Sequence, residues 1–245
     1  MNFLICISHV PDTTTKIQFT PDKKSLNKTG VTYIPNPYDE FGLSRALEFK
    51  EAGKGEKVTV ITVGGPETEA TLRRCLAVGA DDAIRIDAEP MDAFQVASQI
   101  AAWAKDKDYQ VIFTGKESID FNGSQVPGML AEMLGVSFVS FAIKFDSEGG
   151  KAQLEREVDG GSEVMESIFP VVISCQKGIA EWRIPNMRGI MAARSKPLTV
   201  ITPANVESKV ITTTLDTPPA KSGCVYVTND NPEQLIQLLT EKGII

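Results

Sequence analysis

Tyr109-Gln110-Val111-Ile112-Phe113-Thr114 runs directly into Gly115-Lys116-Glu117-Ser118-Ile119-Asp120-Phe121-Asn122-Gly123-Ser124-Gln125-Val126-Pro127-Gly128, and then into Met129-Leu130-Ala131-Glu132-Met133-Leu134-Gly135. The first piece is a short apolar run of the kind found in strands covered on both faces, and the last is a helix stopped by Gly135. The segment between them is a strand-to-helix turn. Asn122 is placed to cap the helix, which leaves the N–H groups of residues 123–126 without intrahelical acceptors, while Gly123 and Ser124 keep the corner open to an anion. Such a corner suits a phosphate, although most helix N-termini merely meet water.

Upstream the same rhythm repeats. Residues 3–7 (Phe-Leu-Ile-Cys-Ile) form a buried strand that ends in Ser8-His9-Val10-Pro11-Asp12, with His9 a loop histidine that has no second titratable partner in the sequence around it. A polar excursion over 13–32 contains a half-exposed strand at 16–19 and a turn at Pro21-Asp22-Lys23-Lys24. Asn36-Pro37-Tyr38-Asp39-Glu40 starts a helix that runs to about Ala52 and stops at Gly53, with Leu43, Ala46, Leu47 and Phe49 inward. A strand over 57–63, a glycine turn at Gly64-Gly65-Pro66, a helix over 66–78, a strand over 83–86 and a helix over 91–105 complete the approach. Strands and helices in strict alternation call for a doubly wound, Rossmann-like α/β fold with a mostly parallel sheet and right-handed crossovers.

Downstream the pattern changes to short strands at 138–145, 151–158, 162–167 and 170–175 joined by glycine turns, which predicts antiparallel strands added at the sheet edge. Residues 179–196 mix apolar and basic side chains without periodicity and form an exposed loop before a short helix at 189–194. From 197 on there is no core pattern, only an extended arm at 206–215, a stiff Pro218-Pro219 and a last amphipathic helix from Asn231 to Lys242. The expected organisation is a nucleotide-binding α/β domain over 1–200, with its docking loop at 183–196, and an arm over 201–245 that packs on a partner.

The chain has 245 residues, 42% hydrophobic and 23% charged, enough to bury a sizeable core. A net charge of −7 without a basic stripe argues against nucleic acid. Cysteines at 6, 75, 175 and 224 form no C-x-x-C pair, so neither a disulfide framework nor a zinc site is expected, and the compartment is reducing, hence cytoplasmic. No apolar run approaches the roughly 18 residues of a membrane span, and no insertion is expected.

In an open parallel sheet, ligands collect at the carboxyl ends of the strands. The loops at 6–11, 64–66 and 115–126 fall there, with 36–39 as a further wall. G-x-G-x-x-G and G-x-x-x-x-G-K-[ST] are both absent, which disfavours an ordinary nicotinamide dehydrogenase or a P-loop enzyme. Asp12, Asp39 and Asp120 could act as acid or base or hold magnesium, but acids in a helix first turn or in the loop before a helix are favourable for electrostatic reasons alone. No nucleophile–histidine–carboxylate set can be assembled.

Several motifs are similar to those of a known family. They are Asn36-Pro37-Tyr38-Asp39, Val63-Gly64-Gly65-Pro66, Ala77-Val78-Gly79-Ala80-Asp81, Gly115-Lys116-Glu117-Ser118-Ile119-Asp120 with Gln125, and above all Glu155-Arg156-Glu157-Val158-Asp159-Gly160-Gly161-Ser162-Glu163 with Pro170-Val171-Val172-Ile173. Over nearly its whole length the chain resembles the β subunit of electron transfer flavoproteins. The resemblance implies an electron carrier without bond-making chemistry of its own. It would work as a heterodimer with an electron transfer flavoprotein α subunit that holds most of the FAD, between acyl-CoA dehydrogenases of fatty acid beta-oxidation and an electron transfer flavoprotein-quinone oxidoreductase. It also implies a structural AMP held by Cys6, Asn36, Pro37, Tyr38, Asp39, Gly64, Lys116, Asp120, Asn122, Gly123, Ser124, Gln125 and Val126, and a partner-recognition loop in which Met187 is the anchor, beside Arg188 and Ile190. Phe121-Asn122-Gly123-Ser124 and Val126-Pro127 depart from the family's AMP-binding pattern, so a second FAD in a bifurcating carrier fed by NADH is the alternative. A hydrolase of adenosine phosphates is the alternative of another class.

Overall fold

A computed structural model describes residues 1–221 and 223–245. The chain begins β1 (Asn2–Cys6), β2 (His9–Pro11), β3 (Tyr33–Pro35), α1 (Pro37–Glu51) and β4 (Lys57–Val63). After a 3-10 turn at Pro66–Thr68 come α2 (Glu69–Val78), β5 (Asp82–Ile86), α3 (Ala93–Ala104), β6 (Val111–Gly115) and α4 (Gln125–Leu134). Then follow β7 (Ser137–Glu148), β8 (Lys151–Val158), β9 (Gly161–Ile168), β10 (Val171–Cys175), α5 (Met187–Ala193), β11 (Leu198–Ile201) and α6 (Pro232–Glu241).

The main sheet has the order β11-β5-β4-β1-β6-β10-β7-β8-β9. Pairs from β11 through β7 are parallel, and β8 and β9 extend the edge antiparallel. Side chains alternate across β1: Phe3 and Ile5 join Leu43, Phe49 and Leu72 under α1 and α2, while Leu4 and Cys6 join Ile100 and Leu130 under α3 and α4. Both faces are covered, which is why the strand is apolar from Phe3 to Cys6. Rings tie the first layer together, with Phe3–Phe49 centroids 5.7 Å apart, Phe113–Phe145 5.4 Å and Phe49–Phe145 4.8 Å.

From β1 the chain winds outward through β4 and β5, then returns to place β6 on the other side of β1. That reversal makes the carboxyl ends of β1 and β6 a topological switch point, the place where open α/β sheets have their ligand crevice.

Four expectations need correction. The 170–175 segment is not an antiparallel edge strand: β10 is parallel, buried at all five residues, and inserted between β6 and β7. Its continuous apolar run fits a doubly covered strand, and the glycine turns before it belong to β7–β8–β9 alone. Residues 198–201 do have a place in the sheet, as the edge strand β11 beside β5, where Leu198 and Ile201 pack on opposite faces of the core. The strand expected at 16–19 shrinks to a single bridge between Phe19 and Leu26. His9 lies not in a loop but on β2, paired with β3, its ring stacked 4.3 Å from Tyr33 and its Nδ1 2.7 Å from Thr71 Oγ1.

Close approach of α1 to the sheet depends on Gly42, where a Cβ would lie 2.8 Å from Phe113 Cβ and 3.1 Å from Cys175 Sγ. Alanine in a helix interior ordinarily stabilises relative to glycine by about 1 kcal/mol. Here Gly42→Ala is expected to destabilise instead, by roughly 1–3 kcal/mol from overpacking, in urea unfolding. A stabilised variant would show that α1 is free to shift.

Candidate functional site

α1 begins at the mouth of the crevice, and its first residues fasten the surrounding loops. Asp39 accepts hydrogen bonds from the Ser8 N–H after β1 (2.7 Å), from the Gly115 N–H at the end of β6 (2.6 Å) and from Asn36 Nδ2 (3.0 Å). Asn36 also donates from Nδ2 to the Glu117 carbonyl (2.8 Å), accepts at Oδ1 from the Ile119 N–H (3.3 Å), and its own N–H donates to the Ser8 carbonyl (2.9 Å). Two buried polar side chains thus staple the loops after β1 and β6 to the helix.

Gly115 is required by this arrangement. A Cβ there would stand 2.5 Å from Asp39 Oδ1, 2.7 Å from Tyr38 Cβ and 2.8 Å from Asn36 Nδ2. Lys116 then turns outward, its N–H bonded to the Cys175 carbonyl (2.9 Å) and its ammonium 4.8 Å from the centre of the Tyr38 ring. Gly64 lies at the end of the neighbouring strand β4, its carbonyl bonded to the buried Arg85 guanidinium (3.0 Å); Thr62, two residues before it, donates to the Ile7 carbonyl (2.7 Å).

Asn122 does not cap α4. It takes a left-handed conformation with φ of 50° in a loop closed by the Ser118 N–H to Gly123 carbonyl bond (3.1 Å), and Ser124 occupies the cap position without a side-chain hydrogen bond. The first-turn N–H groups of Gln125 and Val126 lack intrahelical acceptors, and Pro127 contributes none. Asp120, Asn122, Gly123, Ser124 and Gln125 are exposed along this rim, while Asn36 and Asp39 are buried and Pro37, Tyr38 and Val126 half-buried.

The arrangement separates the three candidate carboxylates. Asp12 accepts only from Thr14 in its own turn, and those bonds hold it below the usual carboxylate range. Asp120 accepts from the Phe121 N–H (2.9 Å) on the rim. Asp39 alone is buried, and burial pushes its carboxyl up to about 7 against the pull of its Ser8, Asn36 and Gly115 donors. Cys6 is buried beside it, and burial followed by the Asp39 charge raises the thiol far above its ordinary range, so it stays a packed, unreactive thiol. Among the described residues no group of His, Cys, Asp and Glu is arranged to hold a metal. Ser8 and Gly115, which complete the staple, were not among the expected contacts. Both stand in loops that the strand ends had selected, but their bonds to Asp39 join positions far apart in sequence.

A second surface lies on the segment after β10. Ile184 (73% exposed), Met187 (74%) and Met191 (69%) project from it, with Ile190 less so and Arg188 exposed between them. α5 starts at Met187 rather than at 189, because the Asn186 side chain caps it through the Gly189 N–H (2.8 Å). Ile184 and Met191 were missed as candidates, although both stand in the same apolar and basic stretch. The Glu155–Glu163 motif sits apart from both surfaces, on the β8–β9 hairpin, where Arg156 donates to Glu163 across the ladder (2.8 Å).

The open-chain carboxyl titrates near 3.8 and the folded Asp39 at about 7, so stability carried by its protonated form is present below 3.8 and lost as pH rises through about 7. The stability of the wild type relative to Asp39→Asn, which cannot titrate, is expected to fall across that window and stay level above it, in urea unfolding at a series of pH values. A pH-independent difference would contradict the burial of this group.

Residues 24–206 match the family model described as "Electron transfer flavoprotein domain". The chain is 35% identical over 242 residues to the electron transfer flavoprotein subunit beta of Syntrophomonas wolfei, covering 98% of this chain and 95% of the relative. It is 34% identical over 202 residues to the subunit beta of Bacillus subtilis (81% and 77% covered) and 30% identical over 254 residues to that of Homo sapiens (100% and 99%). With its motifs, its doubly wound fold and these full-length matches agreeing, the chain belongs to the electron transfer flavoprotein β subunit family.

Proposed function

We propose that the crevice between β1 and β6 holds a structural AMP, and that the chain serves as one half of an electron carrier whose redox-active FAD resides mainly on an α subunit. The observation that carries the nucleotide reading is the convergence at one topological switch point of backbone from the two loops after β1 and β6, fixed by Asn36 and Asp39, with the uncapped first turn of α4 on its rim. Backbone N–H groups supply the phosphate contacts and need no charge of their own. Asn36, Pro37, Tyr38, Asp39 and Cys6 form or brace the wall, and Lys116, Asp120 and the 122–126 rim complete it.

Pro127 supports a second reading. It removes one N–H from the α4 first turn and gives that turn a different donor pattern, which keeps a second FAD and an NADH-fed, bifurcating carrier as the alternative. Hydrolysis of an adenosine phosphate is disfavoured because Asp39, the one buried acid of the three candidates, is turned onto the Ser8, Asn36 and Gly115 donors and braces the loops.

Partner docking is assigned to 183–196, with Met187, Ile190 and Ile184 as apolar anchors and Arg188 as a charged neighbour. Flexible thioethers suit a surface that meets several dehydrogenases. The arm over 201–245 is assigned to the α subunit. α6 has no buried residue, and its Leu235 and Ile236, with Ile244 and Ile245 just beyond, lack cover on this chain.

Co-expression with the α subunit, followed by denaturation and mass identification of released ligands, is expected to yield one AMP and one FAD per heterodimer. Two FAD would support the bifurcating reading, and turnover of ATP by the isolated chain would overturn both. In reduction by an acyl-CoA dehydrogenase, Met187→Ala and Ile184→Ala are each expected to raise KM roughly tenfold, the loss of about 1–2 kcal/mol of anchor burial, with FAD content unchanged. Lost flavin in either variant would show that the segment is structural instead.

A further inference from the structure

The chain between the end of β10 at Cys175 and the start of α5 at Met187 has no regular structure, yet it carries Ile184 and leads to Met187. Its far end is held by α2 and the turn after it: Arg73 Nη1 donates to the Ala193 and Lys196 carbonyls (2.7 Å each), and the Lys196 ammonium donates to the Leu76 and Ala80 carbonyls (3.0 and 2.6 Å). Gly189 packs against the Ala77 carbonyl, where no side chain would fit. The near end is held by α1. Trp182 Nε1 donates to Glu40 Oε2 (2.6 Å), and Arg183 forms a two-pronged pair with Glu51 (2.6 and 2.9 Å).

The two near-end contacts are not equal. Glu51 is an exposed surface acid, and such pairs contribute about 0–1 kcal/mol. Glu40 is 6% exposed, with Arg74 Nε 3.4 Å from its other oxygen, and Trp182 lies 142 residues away in sequence. A buried carboxylate that accepts an indole N–H fixes the direction of the chain far better than a solvated pair. Consecutive residues on a helix point about 100° apart, so Asp39 faces the crevice while Glu40 faces the segment.

We infer that Glu40 is a positioning residue for docking: its carboxylate, through Trp182, sets the pose in which Ile184 and Met187 meet an electron donor. This rests on the docking role proposed above for 183–196. The first turn of α1 thus serves two surfaces, and the docking knob is a fixed feature of the α/β body rather than a free loop.

The test uses the complete heterodimer with FAD bound, and compares Glu40→Ala, Glu40→Gln, Trp182→Phe and the double variant Glu40→Ala/Trp182→Phe. Hydrogen exchange of peptides spanning 179–190 is followed by mass spectrometry, and KM and kcat are measured for reduction by an acyl-CoA dehydrogenase charged with its acyl-CoA. Expected are faster exchange and a KM raised about fivefold in Glu40→Ala and in Trp182→Phe, as the docking-competent fraction falls, with kcat and FAD content unchanged. The double variant is expected to be no worse than either single one. Glu40→Gln keeps an acceptor for the indole and should stay within about twofold of wild type. Should Glu40→Ala fold poorly, Trp182→Phe at its half-exposed site carries the test alone.

Unchanged exchange in Trp182→Phe, additive damage in the double variant, or a Glu40→Gln as impaired as Glu40→Ala would overturn the inference. So would an unchanged KM in Glu40→Ala and Trp182→Phe where Ile184→Ala and Met187→Ala raise it. If those two anchor variants also leave KM unchanged, the docking reading itself has failed, whatever the exchange data show.

Discussion

The buried carboxylate of Asp39 is the contact on which the rest of the site depends. A parallel sheet leaves the ends of its strands as separate loops, and nothing in the strand ladder fixes one loop against the next. Asp39 does so by accepting the Ser8 and Gly115 N–H groups, 31 and 76 residues away in sequence, with Asn36 bracing it from the same helix turn. Hydrogen bonds to a charged group contribute roughly 1.5–3 kcal/mol each, which offsets part of a desolvation cost of several kcal/mol for the carboxylate. Burial and donors pull its titration in opposite directions and burial wins, which leaves the carboxyl raised to about 7.

This staple constrains what surrounds it. Gly115 can carry no side chain, α1 sits low on the sheet where its Gly42 meets Phe113 and Cys175, and the next residue along the helix, Glu40, is left facing the segment after β10. The loops at the switch point and the segment after β10 therefore share one helix turn. Beyond β11 the chain leaves Ile211, Tyr226, Leu235 and Ile236 exposed.

Much of this was legible in the sequence, and the gaps have physical causes. Runs such as 3–7 and 57–63 are apolar because both sheet faces are covered, so strand identity and the parallel class could be read directly. The position of β10 could not, since a five-residue apolar run looks the same at the centre of a sheet and in a hairpin that follows two others. β11 was invisible because only Leu198 and Ile201 turn inward from an edge strand. Asn122 was misplaced as a cap because asparagine also tolerates the left-handed conformation it adopts in the loop. Asn36 and Asp39 join their helix turn to Gly115, Glu117 and Ile119, but an acid in the first turn of a helix is so ordinary that the role of Asp39 could be seen only with its distant partners in place.

The central claim is that the stapled backbone of this crevice, rather than any charged side chain, holds the nucleotide. The most direct test is the ligand content of the purified heterodimer carrying Gly115→Ala, which wedges a methyl group between β6 and the Asn36–Asp39 pair. The account predicts a complex that keeps its FAD and its α subunit while losing most of its AMP. A variant that retains a full complement of AMP would contradict it.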